Sequence, residues 1–212
     1  MGAFDPELRL GEDVDLIWRL AGAGHRVRYD PSVVAHHDTR PSISAWVRQV
    51  FEYGTSAAPL AARHGDAVAP AVLNPALGLA GLTLLLRQWW ALPFVALVWA
   101  STCRRLARTV PVREAARLAG LSLVSAVQQE SSLVVRHWWP LATIAITTRL
   151  GRRVALGAVL VDSTVTLTER RGLDPLARLG GRRISDLAYG AGVWSGSMRQ
   201  RTVKALTLRR SR

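Results

Sequence analysis

Glu12, Asp13 and Asp15 place three carboxylates within four residues, just ahead of an apolar-periodic stretch. A carboxylate in such a place can take the proton from a hydroxyl as its oxygen attacks an electrophilic carbon. It can equally do no more than favour the positive end of a helix. Spacing alone leaves both readings open. Trp18 suits core packing or the wall of a binding site, and Arg19 stands where it can pair with a nearby carboxylate. His36 and His37 close a short apolar run, where a histidine is either a ligand or a satisfied structural group. His25, His64 and His137 have no partners at ligand spacing and are assigned no role. The single cysteine, Cys103, excludes an internal disulfide and reads as a packed, inert thiol.

The elements that would position these groups follow from pattern. Val14, Ile17 and Leu20 recur at three-residue spacing, with Leu16 beside them, so a helix is predicted from Val14 to Ala23. Gly22 and Gly24 supply its stop. His25 to Tyr29 alternates polar and apolar residues and suits an exposed strand, and Asp30-Pro31-Ser32 is turn chemistry. Val33 to Ala35 reads as a short buried strand, and Ile43 to Tyr53 as an amphipathic helix. Residues 1–65 are thus expected to form part of an α/β unit.

Composition changes near Asp66. Residues 67–86 carry no charge, and as one helix they would span about 30 Å, the thickness of a hydrocarbon core. Gln88 to Cys103 is a second uncharged run, interrupted by Pro93, and Trp89-Trp90 sits between the two as interface aromatics do. Five arginines between Arg104 and Arg117 read as a cytoplasmic connector. Gln128, Gln129 and Glu130 make the next apolar stretch interfacial or bundled rather than spanning. These patterns predict membrane-associated helices over 66–165 and a basic cytoplasmic tail over 166–212, resting on anionic lipid at the plasma membrane.

The 212 residues are 49% hydrophobic yet carry a formal charge of +13, which requires charge and apolar surface to be segregated. The cations are almost all arginine. A nucleic-acid binder interleaves aromatics with its basic residues, whereas here the tryptophan pairs flank apolar runs, so nucleic acid is not expected as a partner.

Gly2-Ala3-Phe4-Asp5, Gly11-Glu12-Asp13-Val14-Asp15-Leu16 through Arg19-Leu20, then Ala23-Gly24 and Pro31 to His37, occur in order. This run resembles the acceptor-side signature of family-2, GT-A-type glycosyltransferases. The resemblance implies that Asp13 is the catalytic base, that Glu12, Trp18 and Arg19 form the acceptor side, and that His37 joins a divalent metal (Mg or Mn) in the complete enzyme. Ala35 departs from the valine of that pattern. Tyr53 to Ala61 and Ile184 to Trp194 resemble the glycosyltransferases of the mycofactocin system. That likeness implies a nucleotide-sugar donor carrying glucose, a peptide-derived redox cofactor as acceptor and a β-linked oligoglucoside product.

The expected architecture is therefore an α/β remnant of a GT-A glycosyltransferase domain, followed by a mostly α-helical membrane-associated region. Asp13-Val14-Asp15 is the one Asp-x-Asp, and it belongs to the acceptor helix, so no donor-binding carboxylate pair is found. The chain by itself is expected to be inactive. The alternative is a non-catalytic membrane anchor or scaffold that pairs with a separate donor-binding chain.

Overall fold

The computed structural model describes residues 2–36, 40–169 and 174–211. Its helices are α1 (Glu12–Gly22), α2 (Ile43–Thr55), α3 (Ala57–His64), α4 (Pro75–Leu85), α5 (Ala91–Leu106), α6 (Val112–Ser132), α7 (Trp139–Ala145), α8 (Arg149–Glu169) and α9 (Pro175–Arg199). Two two-residue strands, β1 (Val72–Leu73) and β2 (Arg209–Arg210), pair in parallel, Val72 opposite Arg209. The chain divides into two units: Met1–Ala69 with Ala188–Thr207, and Pro70–Leu187 with Leu208–Arg212.

This corrects the expected α/β architecture. The segments read as strands, His25 to Tyr29 and Val33 to Ala35, run without strand pairing. Val27, Val33 and Val34 are 47%, 76% and 66% exposed. Alternation prepares a segment to be a strand, but a strand also needs a neighbour to take its backbone hydrogen bonds. Among the described residues no such neighbour lines up with these segments.

In the first unit α1 begins after Gly11, whose φ of 82° is left-handed. This turn needs glycine for conformation, and a Cβ there would lie 2.9 Å from Leu60 Cδ1, so that the leucine side chain would have to shift. Ser42 caps α2 by accepting from the Ala45 N–H at 3.2 Å. Ala57, Ala58, Leu60 and Ala61 of α3 are buried, as are Leu8, Val193, Ala205 and Leu206. Gly54 and Gly192 let α2 and the second half of α9 touch through their backbones. A Cβ on Gly54 would collide with the Tyr189 carbonyl oxygen, and one on Gly192 with that of Phe51.

The second unit packs α4, α5 and α6 around Ala80, Val98 and Leu123, with Leu77, Phe94 and Val95 against them. Ala115, Ala119, Leu123 and Ala126 give α6 a buried stripe at three- and four-residue spacing. A second cluster is ionic: Arg182 reaches Asp162 and Asp186 at 3.3 Å each, Arg136 reaches Asp186 at 3.6 Å, and Arg183 also pairs with Asp162.

The expected membrane-spanning helices are also corrected. Among the described residues no helix is long and apolar enough to cross a membrane. The uncharged run 67–86 is not one helix, because Asn74 caps a new one by accepting from the Ala76 and Leu77 N–H groups and Pro75 occupies its first turn. The resulting α4 has 11 residues, about 16 Å of helix. A length of uncharged sequence measures hydrophobicity and says nothing of helix continuity.

Candidate functional site

The three carboxylates at the head of α1 have separate fates. Asp15 turns inward and is 1% exposed. Its Oδ1 lies 2.8 Å from His64 Nε2, and its Oδ2 accepts from Arg19 Nε at 2.7 Å. Arg63 Nη1 stands 3.8 Å from the same carboxylate. The His64 hydrogen bond, more than any other contact, holds the Asp15 carboxyl below its ordinary range despite burial, and Arg19 adds to this.

Arg19 does more than pair with Asp15. Its Nη1 and Nη2 donate to the carbonyl oxygens of Gly2 and Ala3 at 3.1 and 2.8 Å. Arg63 pairs with Asp5 in the same segment and holds that carboxyl below its usual range. Trp18 meets the His64 ring edge-on, with centroids 5.0 Å apart. The Gly2–Asp5 segment and the start of α1 are thus tied together through two arginines and one buried aspartate. An i,i+4 pair on a helix explains Asp15 with Arg19, whereas the reach to residues 2 and 3 is tertiary.

Asp13 faces outward. Its Oδ1 accepts from the Val14 N–H at 2.8 Å, in an exposed position on the first turn of α1. Glu12 is half-buried beside it. Of the residues predicted for the site, Trp18 and Arg19 join the buried cluster, while Asp13 stands at its edge open to solvent. His37 lies outside the described residues. Among the described residues no three His, Cys, Asp or Glu side chains gather as a metal site would.

Sequence reasoning passed over His64, Arg63 and Asp5. A signal for Asp15 was present, because it lies four residues before Arg19 on a helix. No local signal marks His64, which sits 49 positions away from its partner.

A cavity of about 530 Å³ opens in the same unit between the loop after Asp5 and helices α2 and α3, with the end of α9. Phe51, Leu10 and Pro59 give it apolar wall, and Arg9, Arg48 and Arg199 bring positive charge. Arg48 is matched by Glu52 at 3.0 Å. The mix of an aromatic face with charged and hydroxyl groups suits a polar organic ligand of moderate size. Asp13 does not line this cavity.

The chain is similar to the pre-mycofactocin glycosyltransferases of Mycobacterium tuberculosis strains CDC 1551 / Oshkosh and ATCC 25618 / H37Rv. It is 39% identical to each over 220 aligned positions, covering 97% of this chain and 47% of the relative. The chain spans about half the length of these curated relatives. The likeness to the mycofactocin-system glycosyltransferases, read first from short motifs, therefore extends over nearly all of this sequence. No family model and no solved structure matches the chain.

Proposed function

We propose, from this kinship with the mycofactocin-system glycosyltransferases, that these residues form the acceptor-side part of an inverting glycosyltransferase. The donor is a nucleotide-sugar, with glucose the sugar that the resemblance implies, and the acceptor supplies a hydroxyl. The relatives' name makes pre-mycofactocin the first acceptor to try. Asp13 takes the proton of the attacking hydroxyl. The acceptor oxygen bonds to the anomeric carbon as the bond from that carbon to the diphosphate breaks, and the nucleoside diphosphate leaves with the electron pair.

The observation that supports this reading is the division of labour at the head of α1. Asp15 is locked by His64 and Arg19, which also holds residues 2 and 3, while Asp13 is left exposed two positions before it. A base must be free to meet its substrate on a turn whose place is fixed. The Asp15 network provides the fixed turn.

The chain spans about half the length of its relatives, so the test joins it to the remaining length of one. Transfer of labelled glucose from a nucleotide-glucose to pre-mycofactocin, lost on Asp13→Asn, supports the proposal. Equal sugar transfer by the joined enzyme and its Asp13→Asn variant overturns the role of Asp13. That Asp13 does not line the cavity of this unit favours a second reading: a non-catalytic partner of a donor-binding chain. A stable complex with such a chain, active without Asp13, would support it.

A further inference from the structure

The second unit contains a cavity of about 400 Å³ that the proposed transfer does not use. Leu79, Leu82 and Leu208 supply apolar wall, and Glu130, Arg209 and Arg210 are its titratable side chains. Glu130 reaches it from α6 past two glycines of α4. Its Oε1 lies 3.3 Å from where a Gly78 Cβ would be, and a Cβ on Gly81 would collide with Oε2. Bulkier residues at either position would crowd the carboxyl.

The Glu130 Oε2 is buried and has no hydrogen-bond partner among the described residues. The nearby backbone donor, the Val72 N–H, is already taken by Gln129 Oε1 at 2.9 Å. Helix α4 carries no charged side chain, and none of the charged residues of α8 lines the cavity. Burial pushes the Glu130 carboxyl up to about 8, so at neutral pH it is an uncharged group able to donate a hydrogen bond. At the rim, Arg209 and Arg210 are exposed, and neither has a carboxylate partner among the described residues. Strand β2, through the Arg209 N–H to Ala71 oxygen bond of 3.0 Å, fixes their place beside the cavity.

We propose that this cavity binds an amphiphilic phosphate monoester, with its alkyl chain against Leu79, Leu82 and Leu208 and its phosphate between Arg209, Arg210 and the Glu130 carboxyl. Two guanidinium groups and one carboxyl O–H offer donors to several phosphate oxygens at once, which a neutral amphiphile would leave unused. An ionised Glu130 would repel the same phosphate. The site is independent of the glycosyl transfer proposed above.

Isothermal titration of the purified chain with decyl phosphate below its micelle concentration tests this, with 1-decanol and inorganic phosphate as the other arms. Decyl phosphate is expected to bind saturably, one per chain, and more tightly than either control. The Arg209→Ala/Arg210→Ala double variant is expected to bind roughly ten-fold or more weakly, since each charge-assisted contact carries over 1 kcal/mol. Leu79→Trp, at a half-exposed wall position, is expected to block binding while its circular dichroism stays that of the parent. Binding by the parent should weaken from pH 7 to pH 9, whereas Glu130→Gln should bind at pH 7 and lose that pH response. Equal binding of 1-decanol, equal binding of inorganic phosphate, or binding indifferent to both the arginine pair and Leu79→Trp would overturn the proposal.

Discussion

His64 Nε2 and Asp15 Oδ1 lie 2.8 Å apart, joining the end of α3 to a carboxylate that is 1% exposed near the start of α1. That contact, with Arg19 on the other carboxylate oxygen, makes Asp15 the hub through which the Gly2–Asp5 segment is held. A buried carboxylate with two such partners is structural in its first duty, whatever chemistry its neighbour performs.

Removing the charge at Asp15 should therefore be costly. Asp15→Asn keeps the shape but strips Arg19 and His64 of their shared partner, and a loss of about 3–5 kcal/mol is expected. Urea unfolding followed by circular dichroism measures it. Because the Asp15 carboxyl is held below its ordinary range, its stabilisation is present above the unfolded value and is lost as pH falls below about 4. The variant should show less of that acid loss than the parent. Equal stability of the two proteins would mean that the network holds nothing.

The backbone contact between α2 and α9 makes a second prediction. Gly54→Ala and Gly192→Ala each place a methyl group into a carbonyl of the facing helix, and each should destabilise by about 1–3 kcal/mol or more. Gly22→Ala, where a Cβ meets nothing within 4 Å, should change stability by no more than about 0.5 kcal/mol. Thermal melts of the three variants check the contrast. A neutral Gly192→Ala would show that the helices do not approach as closely as described.

Glu130 contributes one pH response to the second unit, beside those of His137 and Asp186. Its folded-state value is raised by burial, so the folded state holds a proton that the unfolded chain releases. Its contribution to stability should be greatest below the ordinary carboxyl range and should fall as pH rises toward about 8. Glu130→Gln removes the titration, and its midpoint of unfolding should decline less over the same interval. A parallel decline in both proteins would place the pH response elsewhere.

The helical signals were largely legible in the sequence. The stripe of Val14, Ile17 and Leu20 marked α1, observed from Glu12 to Gly22, and the pattern from Ile43 marked α2. What failed was inference that needed a partner or a boundary. The alternating segments around Val27 and Val33 carry strand chemistry but acquire no ladder. The uncharged run ending at Leu86 looked continuous because hydropathy ignores Asn74 as a cap and Pro75 as a first-turn residue. At the site, Arg19 was read correctly as the partner of a carboxylate, since four residues on a helix bring it to Asp15. His64 was dismissed for lack of partners in sequence, and folding supplied one.

The proposed base is best tested by comparing turnover and stability of Asp13→Asn in the chain joined to the remaining length of a relative. Asp13 is exposed and, among the described residues, bonds only the adjacent N–H in its own turn, so its replacement should leave stability within about 0.5 kcal/mol of the parent. Loss of its proton transfer should lower turnover by about 10²- to 10⁴-fold. Unchanged turnover in a folded Asp13→Asn enzyme would contradict the account.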